Sequence, residues 1–282
     1  MVVKPVEDIE QFAKQIRYYT LKQFITMGFG HYGGSLSIVE ALAVLYGKYI
    51  NSTPENMNDL TRDYFVLSKG HAGPALYATL YLKGFFTADW LLTLNGNATR
   101  LPSHPDRHLT PGVDMTTGSL GQGISAATGI ALGNKIAGRS NVTYVIVGDG
   151  ELNEGQVWEA IQMASHNKLD KLIVLVDDNK MQLDGPTKAI SHPHDYVLKF
   201  ESFGCYSKRV NGQSVVAIDE AIQWGLNNQD KPTVIVLDTV KGQGVKVIEE
   251  MANNHHLRPD AATTEAITRE YEALGQAIGV SK

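Results

Sequence analysis

Apolar residues at Ile9, Phe12, Ile16, Tyr19 and Phe24 recur close to helical spacing, and the pattern predicts a helix over residues 6–27 that stops at Gly28. Residues 38–50 read as a second helix, with Ser37 placed to cap its N-terminus. Tyr64-Phe65-Val66-Leu67 is short and apolar and runs into Ser-Lys-Gly, as a buried strand does where it ends in a loop; residues 72–82 then read as a helix. The clearest strands are TYVIV at 143–147, LIVLV at 172–176 and TVIVL at 233–237. Each is a nearly continuous β-branched or leucine run, as expected of a strand buried on both faces of a parallel sheet. A helical pattern over 156–168 joins the first two into a right-handed βαβ unit. A further strand over 204–210, a helix over 215–226, a mostly polar loop and a last helix over 263–278 complete the reading. With no internal repeat or linker, residues 1–282 are expected to form a single doubly wound α/β domain, a mostly parallel sheet with helices on both faces. Ligands of such sheets sit beyond the carboxyl ends of the strands.

Composition narrows the partners. The chain has 282 residues, 43% hydrophobic and 20% charged, and a net charge of −5 without any basic run, which argues against nucleic acid or an anionic membrane. A lone Cys205 rules out an internal disulfide framework, fits a reducing cytosol and reads as a small core residue. The opening MVVKPVEDIEQF lacks the apolar run of a signal peptide, and no stretch nears the roughly 18 apolar residues of a membrane span, so a cytoplasmic protein is expected.

Two strands end in candidate chemistry. TYVIV runs into Gly148-Asp149-Gly150-Glu151-Leu152-Asn153-Glu154, and LIVLV runs into Asp177-Asp178-Asn179-Lys180-Met181-Gln182-Leu183. If these strands are neighbours, Asp149 and Asn179 meet at one sheet edge. A carboxylate and an amide oxygen are hard ligands suited to Mg²⁺, or to Ca²⁺ as a substitute, and poor for zinc. Mg²⁺ wants six oxygens, which leaves room for a backbone carbonyl, water and two diphosphate oxygens. Gly148 and Gly150 let the backbone approach phosphates, and the start of the following helix favours anionic charge. Asp-Gly and Asn-Lys would otherwise be plain turns; their joint spacing, each directly after a buried strand, favours a metal–diphosphate site.

Gly-Asp-Gly followed about thirty residues later by Asn resembles the thiamine diphosphate motif, and GDGELNEGQVWEA, NKMQLDG, TTGSLGQG, LSKGHA and KGQGV resemble their counterparts in transketolases. The likeness runs from about Tyr18 to His255 and is greatest to the N-terminal, diphosphate-binding subunits of split, two-chain transketolases. It implies thiamine diphosphate as cofactor, with Mg²⁺ held by Asp149, Asn179 and Met181. It also implies that Gly118 and Leu120 contact the aminopyrimidine and that Leu183 packs near the thiazolium. His31 and His255 would handle the proton at the hydroxyl next to the scissile bond. His104 would hold the terminal hydroxyl of the two-carbon unit, and His71 would sit beside the diphosphate. His256 stands where related sequences usually have Gly, and His108, His166, His192 and His194 read as surface or structural. Glu154 is either the family's acidic residue at the subunit interface or a helix N-terminal glutamate that satisfies the dipole. Gly121, Ser125, Gly129 and Gly133 form a bare helical stripe that suits close packing within the domain.

The family's cofactor-activating glutamate and main sugar-phosphate residues belong to a second domain. The chain is therefore expected to work only with a C-terminal-section partner, two copies of each, moving a two-carbon ketol unit from a ketose phosphate to an aldose phosphate. Two rivals are another thiamine diphosphate half-enzyme, of deoxyxylulose-phosphate-synthase or decarboxylase type, and a non-catalytic regulatory chain.

Overall fold

The computed structural model describes residues 6–280, so the start of the N-terminal stretch lies outside the described residues. Five parallel strands form one sheet: β1 (Tyr64–Leu67), β2 (Thr143–Gly148), β3 (Leu172–Asp178), β6 (Tyr206–Asn211) and β7 (Thr233–Asp238), in the order β1-β2-β3-β7-β6. The two-residue strands β4 (Met181–Gln182) and β5 (Gly185–Pro186) make a small hairpin just past the end of β3.

Alternation along the strands divides the core in two. Tyr144, Ile146, Ile173, Leu175, Ile235 and Leu237 point into one cluster, while Val145, Val147, Val174, Val176, Val234 and Val236 point into the other. Both faces are therefore covered. The first cluster is closed by α1 (Val6–Met27), α2 (Tyr32–Leu36), α3 (Val39–Val44), α4 (Gly73–Leu82), α9 (Val215–Asn227), α10 (Lys246–Glu249) and α11 (Ala261–Ala277). The second is closed by α5 (Gln122–Ile136), α6 (Gly155–His166) and α8 (Tyr196–Ser202); the single-turn α7 (Thr187–Ile190) follows the hairpin. Cys205 is buried in this second cluster.

The expected elements are present, with three corrections. The second helix is α3 followed by a π-helical turn over Leu45–Tyr49, and Ser37 does not cap it. Ser37 instead donates its hydroxyl to the Asp177 carboxylate at 2.6 Å, a partner 140 residues away. The polar segment before the last helix contains α10. The small-residue stripe packs within the fold only at its start: a Cβ on Gly121 would meet Gln156 and Glu154 at 3.4 Å, whereas Gly129 and Gly133 are exposed with nothing within 4 Å. Among the described residues, no helix is long and apolar enough to cross a membrane.

Candidate active site

Strands β2 and β3 are parallel neighbours with Gly148 paired to Asp177, so Asp149 and Asn179 emerge together at the carboxyl edge of the sheet. The Asp149 carboxylate is buried. It accepts the Gly150 N–H at 2.9 Å and the Thr187 hydroxyl at 2.9 Å, and among the described residues no basic side chain is bonded to it. Burial first, and the neighbouring Asp177 second, push its pKa up to about 7. Asn179 donates its amide N–H to Asp177 at 2.8 Å and accepts the Met181 N–H at 3.1 Å. The Met181 and Gln182 carbonyls, presented by the β4–β5 hairpin, receive the Lys241 ammonium at 3.1 and 3.3 Å. No group of three His, Cys, Asp or Glu side chains that could hold a metal exists among the described residues. The donors here are one carboxylate, one amide and backbone carbonyls, and a buried carboxylate without a cation is a charge that a hard divalent ion would offset. The residues fit Mg²⁺.

Beneath this edge lies a buried ion pair that sequence reasoning passed over. Lys69 meets Asp177 at 2.5 Å, with the two side chains 1% and 0% exposed. Asp177 also accepts hydroxyls from Ser37 and Thr239. Burial alone would raise its carboxyl, but Lys69 and these hydrogen bonds hold it below the usual range. Burial, then Lys69, lowers Lys241 to about 8. Glu151 was also missed. Its carboxylate accepts the Ser68 hydroxyl, the Gly121 N–H at 2.8 Å and the Gly148 N–H at 3.0 Å, tying the ends of β1 and β2 to the start of α5. The available signal was position: Lys69, Lys241 and Glu151 all lie inside the family-like motifs, and Asp177 ends a buried run.

Opposite the Asp149–Asn179 edge stands a group of imidazoles. The His31 ring lies 5.5 Å from His71, 5.7 Å from His104 and 5.4 Å from His255, and His71 lies 4.9 Å from His255. Burial is the main cause that lowers each of them: His31 to about 4, His255 to about 3, His71 well below the ordinary value, and His104 downward. Neighbouring imidazoles and Lys241 add to the effect on His31 and His255. All four are neutral at pH 7. The fit around them is tight, since a Cβ on Gly34 would meet His71 Nε2 at 2.9 Å.

One cavity of about 330 Å³ takes in the whole candidate set. His31, His71, His104 and His255 line it together with Gly148, Asp149, Gly150 and Asn179; Gly118, Leu120, Glu154, Met181 and Leu183 do so as well. Leu183 is 58% exposed, and Glu154 is exposed and makes no side-chain cap at the start of α6.

Residues 9–275 match the family described as transketolase, thiamine diphosphate binding domain. The chain belongs to the transketolase family. It is 44% identical, over 95% of its length, to a 6-deoxy-6-sulfo-D-fructose transketolase subunit of Clostridium sp. (strain MSTE9), of which it covers 98%. It is 36% identical, over 94% of its length, to an apulose-4-phosphate transketolase subunit of Actinobacillus succinogenes, of which it covers 96%. Among solved structures, transketolase from Campylobacter jejuni superposes with a TM-score of 0.89 at 26% identity, covering 95% of this chain and 43% of that one. A Pichia stipitis transketolase variant gives 0.86 at 30% identity over 95% of this chain and 41% of that one. The transketolase fold thus continues in those proteins over a stretch longer than this chain, while the two bacterial subunits match it nearly end to end.

Proposed function

We propose that this chain is the diphosphate-binding subunit of a two-chain transketolase, which moves a two-carbon ketol unit from an anionic ketose to an aldose. The observation that carries the reading is the cavity that sets a cation-hungry buried carboxylate, Asp149, against four neutral imidazoles. Thiamine diphosphate, when bound, supplies the carbanion chemistry that no side chain here provides. Asp149, Asn179 and the Met181 carbonyl would hold Mg²⁺, while Gly148 and Gly150 leave the backbone open to the phosphates. Lys69 offsets the buried charge of Asp177, and the Lys241 ammonium, which lines the same end of the cavity, can donate to a diphosphate oxygen.

The histidines do the proton work. His31 and His255, being neutral, can accept the proton from the sugar hydroxyl next to the scissile bond. Their lowered pKa values favour return of the proton to the new alkoxide and weaken them as bases for its removal. His104 positions the terminal hydroxyl of the transferred unit, and His71 donates beside the diphosphate. A decarboxylase has no sugar hydroxyl to deprotonate, so four clustered imidazoles favour ketol transfer. The likeness to proteins named as subunits supports a partner chain, and the sugars in those names carry a sulfo or a phosphate group; two copies of each chain around a twofold axis is the assembly we propose. The test is to assay the chain alone and with a co-expressed second transketolase section, with Mg²⁺, thiamine diphosphate and a panel of ketoses and aldoses. Ketol transfer is expected only from the pair. Full turnover by the single chain would contradict the two-chain reading, and no turnover by the pair would contradict the activity.

A further inference from the structure

Helix α5 begins at Gly121, whose backbone is left-handed (φ 83°), and no side chain of its own caps it. The start of a helix leaves N–H groups without intrahelical partners, and where it is buried they must be met from elsewhere. Two residues from other segments meet them. The Ser68 hydroxyl oxygen accepts the Ile124 N–H at 3.0 Å, and the Glu151 carboxylate accepts the Gly121 N–H at 2.8 Å. A capping box makes the same two bonds, a hydroxyl on the third helical N–H and a carboxylate on the N-cap N–H, with residues of the helix itself. Here Ser68 follows β1 and Glu151 follows β2. The Ser68 hydroxyl donates to the same Glu151 oxygen and closes the arrangement.

The second oxygen of Glu151 accepts the Gly148 N–H at 3.0 Å, at the end of β2. One buried side chain therefore joins the Gly148-Asp149-Gly150 turn to the segment that carries Gly118 and Leu120 into α5. Both line the cavity, and the functional reading assigns them different parts of the cofactor, the diphosphate and the aminopyrimidine. The segments pack without slack: a Cβ on Gly123 would meet Ser68 Cα at 2.5 Å, and one on Gly70 would meet the Gly118 nitrogen at 2.9 Å. Thr117 ties the front of the α5 segment to β1, donating its hydroxyl to the Leu67 carbonyl at 2.7 Å, while Glu151 ties it to the β2 turn. We infer that Glu151 is a positioning residue, whose carboxylate holds the pyrimidine-side segment in register with the diphosphate-side turn so that one cofactor meets both at once. This rests on the thiamine diphosphate reading and adds to it the group that sets the two halves of the site against each other. Segments tied in advance need no ordering when the ligand binds, whereas untied ones draw that cost from the affinity.

The experiment titrates the assembled two-chain enzyme, with Mg²⁺, by calorimetry. It compares thiamine diphosphate, which needs both segments, with inorganic pyrophosphate, which needs only the diphosphate end. Glu151→Ala is expected to weaken thiamine diphosphate by about ten- to a hundredfold, the range of a hydrogen bond to a charged group, and pyrophosphate by less than about threefold. Glu151→Gln keeps an oxygen for Ser68 and Gly121 and should retain part of the preference for the whole cofactor. An equal fall for both ligands would overturn the inference, since a general loosening of the fold weakens both alike. Unchanged affinities would overturn it too, read from Glu151→Gln alone if Glu151→Ala does not fold. If the wild-type pair binds neither ligand, the functional reading itself fails and the inference with it.

Discussion

The middle of the sheet and its carboxyl edge are built on opposite terms. Along β2, β3 and β7 every side chain from Val145 to Val147, Ile173 to Val176 and Val234 to Leu237 is apolar and fully buried. A few residues further on, the edge of the sheet carries Asp149, Asp177 and Lys69, which are as deeply buried and bear charge. The middle gains stability from burial, at about 25 cal/mol per Å² of apolar surface. The edge gains little, because desolvation offsets much of the attraction in a buried pair. The contrast teaches that stability is concentrated where the chain is featureless and that binding capacity is concentrated where it is strained electrostatically.

Breaking each region should therefore give different signatures. Lys69→Met leaves Asp177 buried without its cation and is expected to cost about 3–5 kcal/mol. Leu175→Ala in the sheet is expected to cost about 2–5 kcal/mol through lost burial and a residual cavity. Denaturant melts measure both. The distinguishing readout is thiamine diphosphate affinity in the assembled enzyme, which should fall for Lys69→Met and stay near wild type for Leu175→Ala. Equal affinities would remove the contrast.

Acid should sharpen the comparison, with two opposing trends at the edge. His31 and His255 have folded pKa values near 4 and 3, below the ordinary 6.5. Their contribution to stability is full above about pH 6.5 and is lost as pH falls toward those values, because the unfolded chain takes up protons first. Asp149 is the reverse: its folded pKa is raised to about 7 from 3.8, so the metal-free chain carries its full penalty above pH 7 and sheds it on acidification. Metal-free Asp149→Asn should therefore melt higher than wild type at pH 8, with the gap narrowing as pH falls below 7 and closing only near pH 3.8. A constant gap would show that Asp149 is not the titrating group.

The smallest expected effect lies on α5. Gly129 faces open space within the chain, so Gly129→Ala should raise the stability of the single chain by up to about 1 kcal/mol through helix propensity. If this bare face meets another subunit, the same change should weaken assembly, which sedimentation would register. A variant that assembles like wild type would leave the stripe without a role between chains.

Much of this molecule was legible in the sequence, for a physical reason. Strands buried on both faces must be continuous apolar runs, so β2, β3 and β7 announced themselves, and Asp149 and Asn179 stood out as polar residues directly after them. What stayed hidden depended on partners distant along the chain. Ser37 before an apolar run has the local pattern of an N-cap, and only the fold reveals that its hydroxyl serves Asp177. Lys69 and Lys241 were visible as members of motifs but not as buried charges, since burial is set by the packing of segments far apart in the chain. The packing of His256 against His31 likewise needed the antiparallel bridge between Gly30 and Leu257, which no local pattern encodes.

The central claim is that the carboxyl edge of β2 and β3 is a metal–diphosphate site. Calorimetric titration of thiamine diphosphate with Mg²⁺ into the assembled enzyme tests it directly, comparing wild type with Asp149→Ala and Asn179→Ala. Each substitution would remove one proposed oxygen ligand, and Asp149→Ala also removes a buried carboxylate. Affinity is therefore expected to fall at least about a hundredfold, while the melting temperature of the metal-free chain is kept or raised in Asp149→Ala and falls in Asn179→Ala, which loses its hydrogen bonds to Asp177 and Met181. Wild-type affinity in both variants would contradict the assignment of the site.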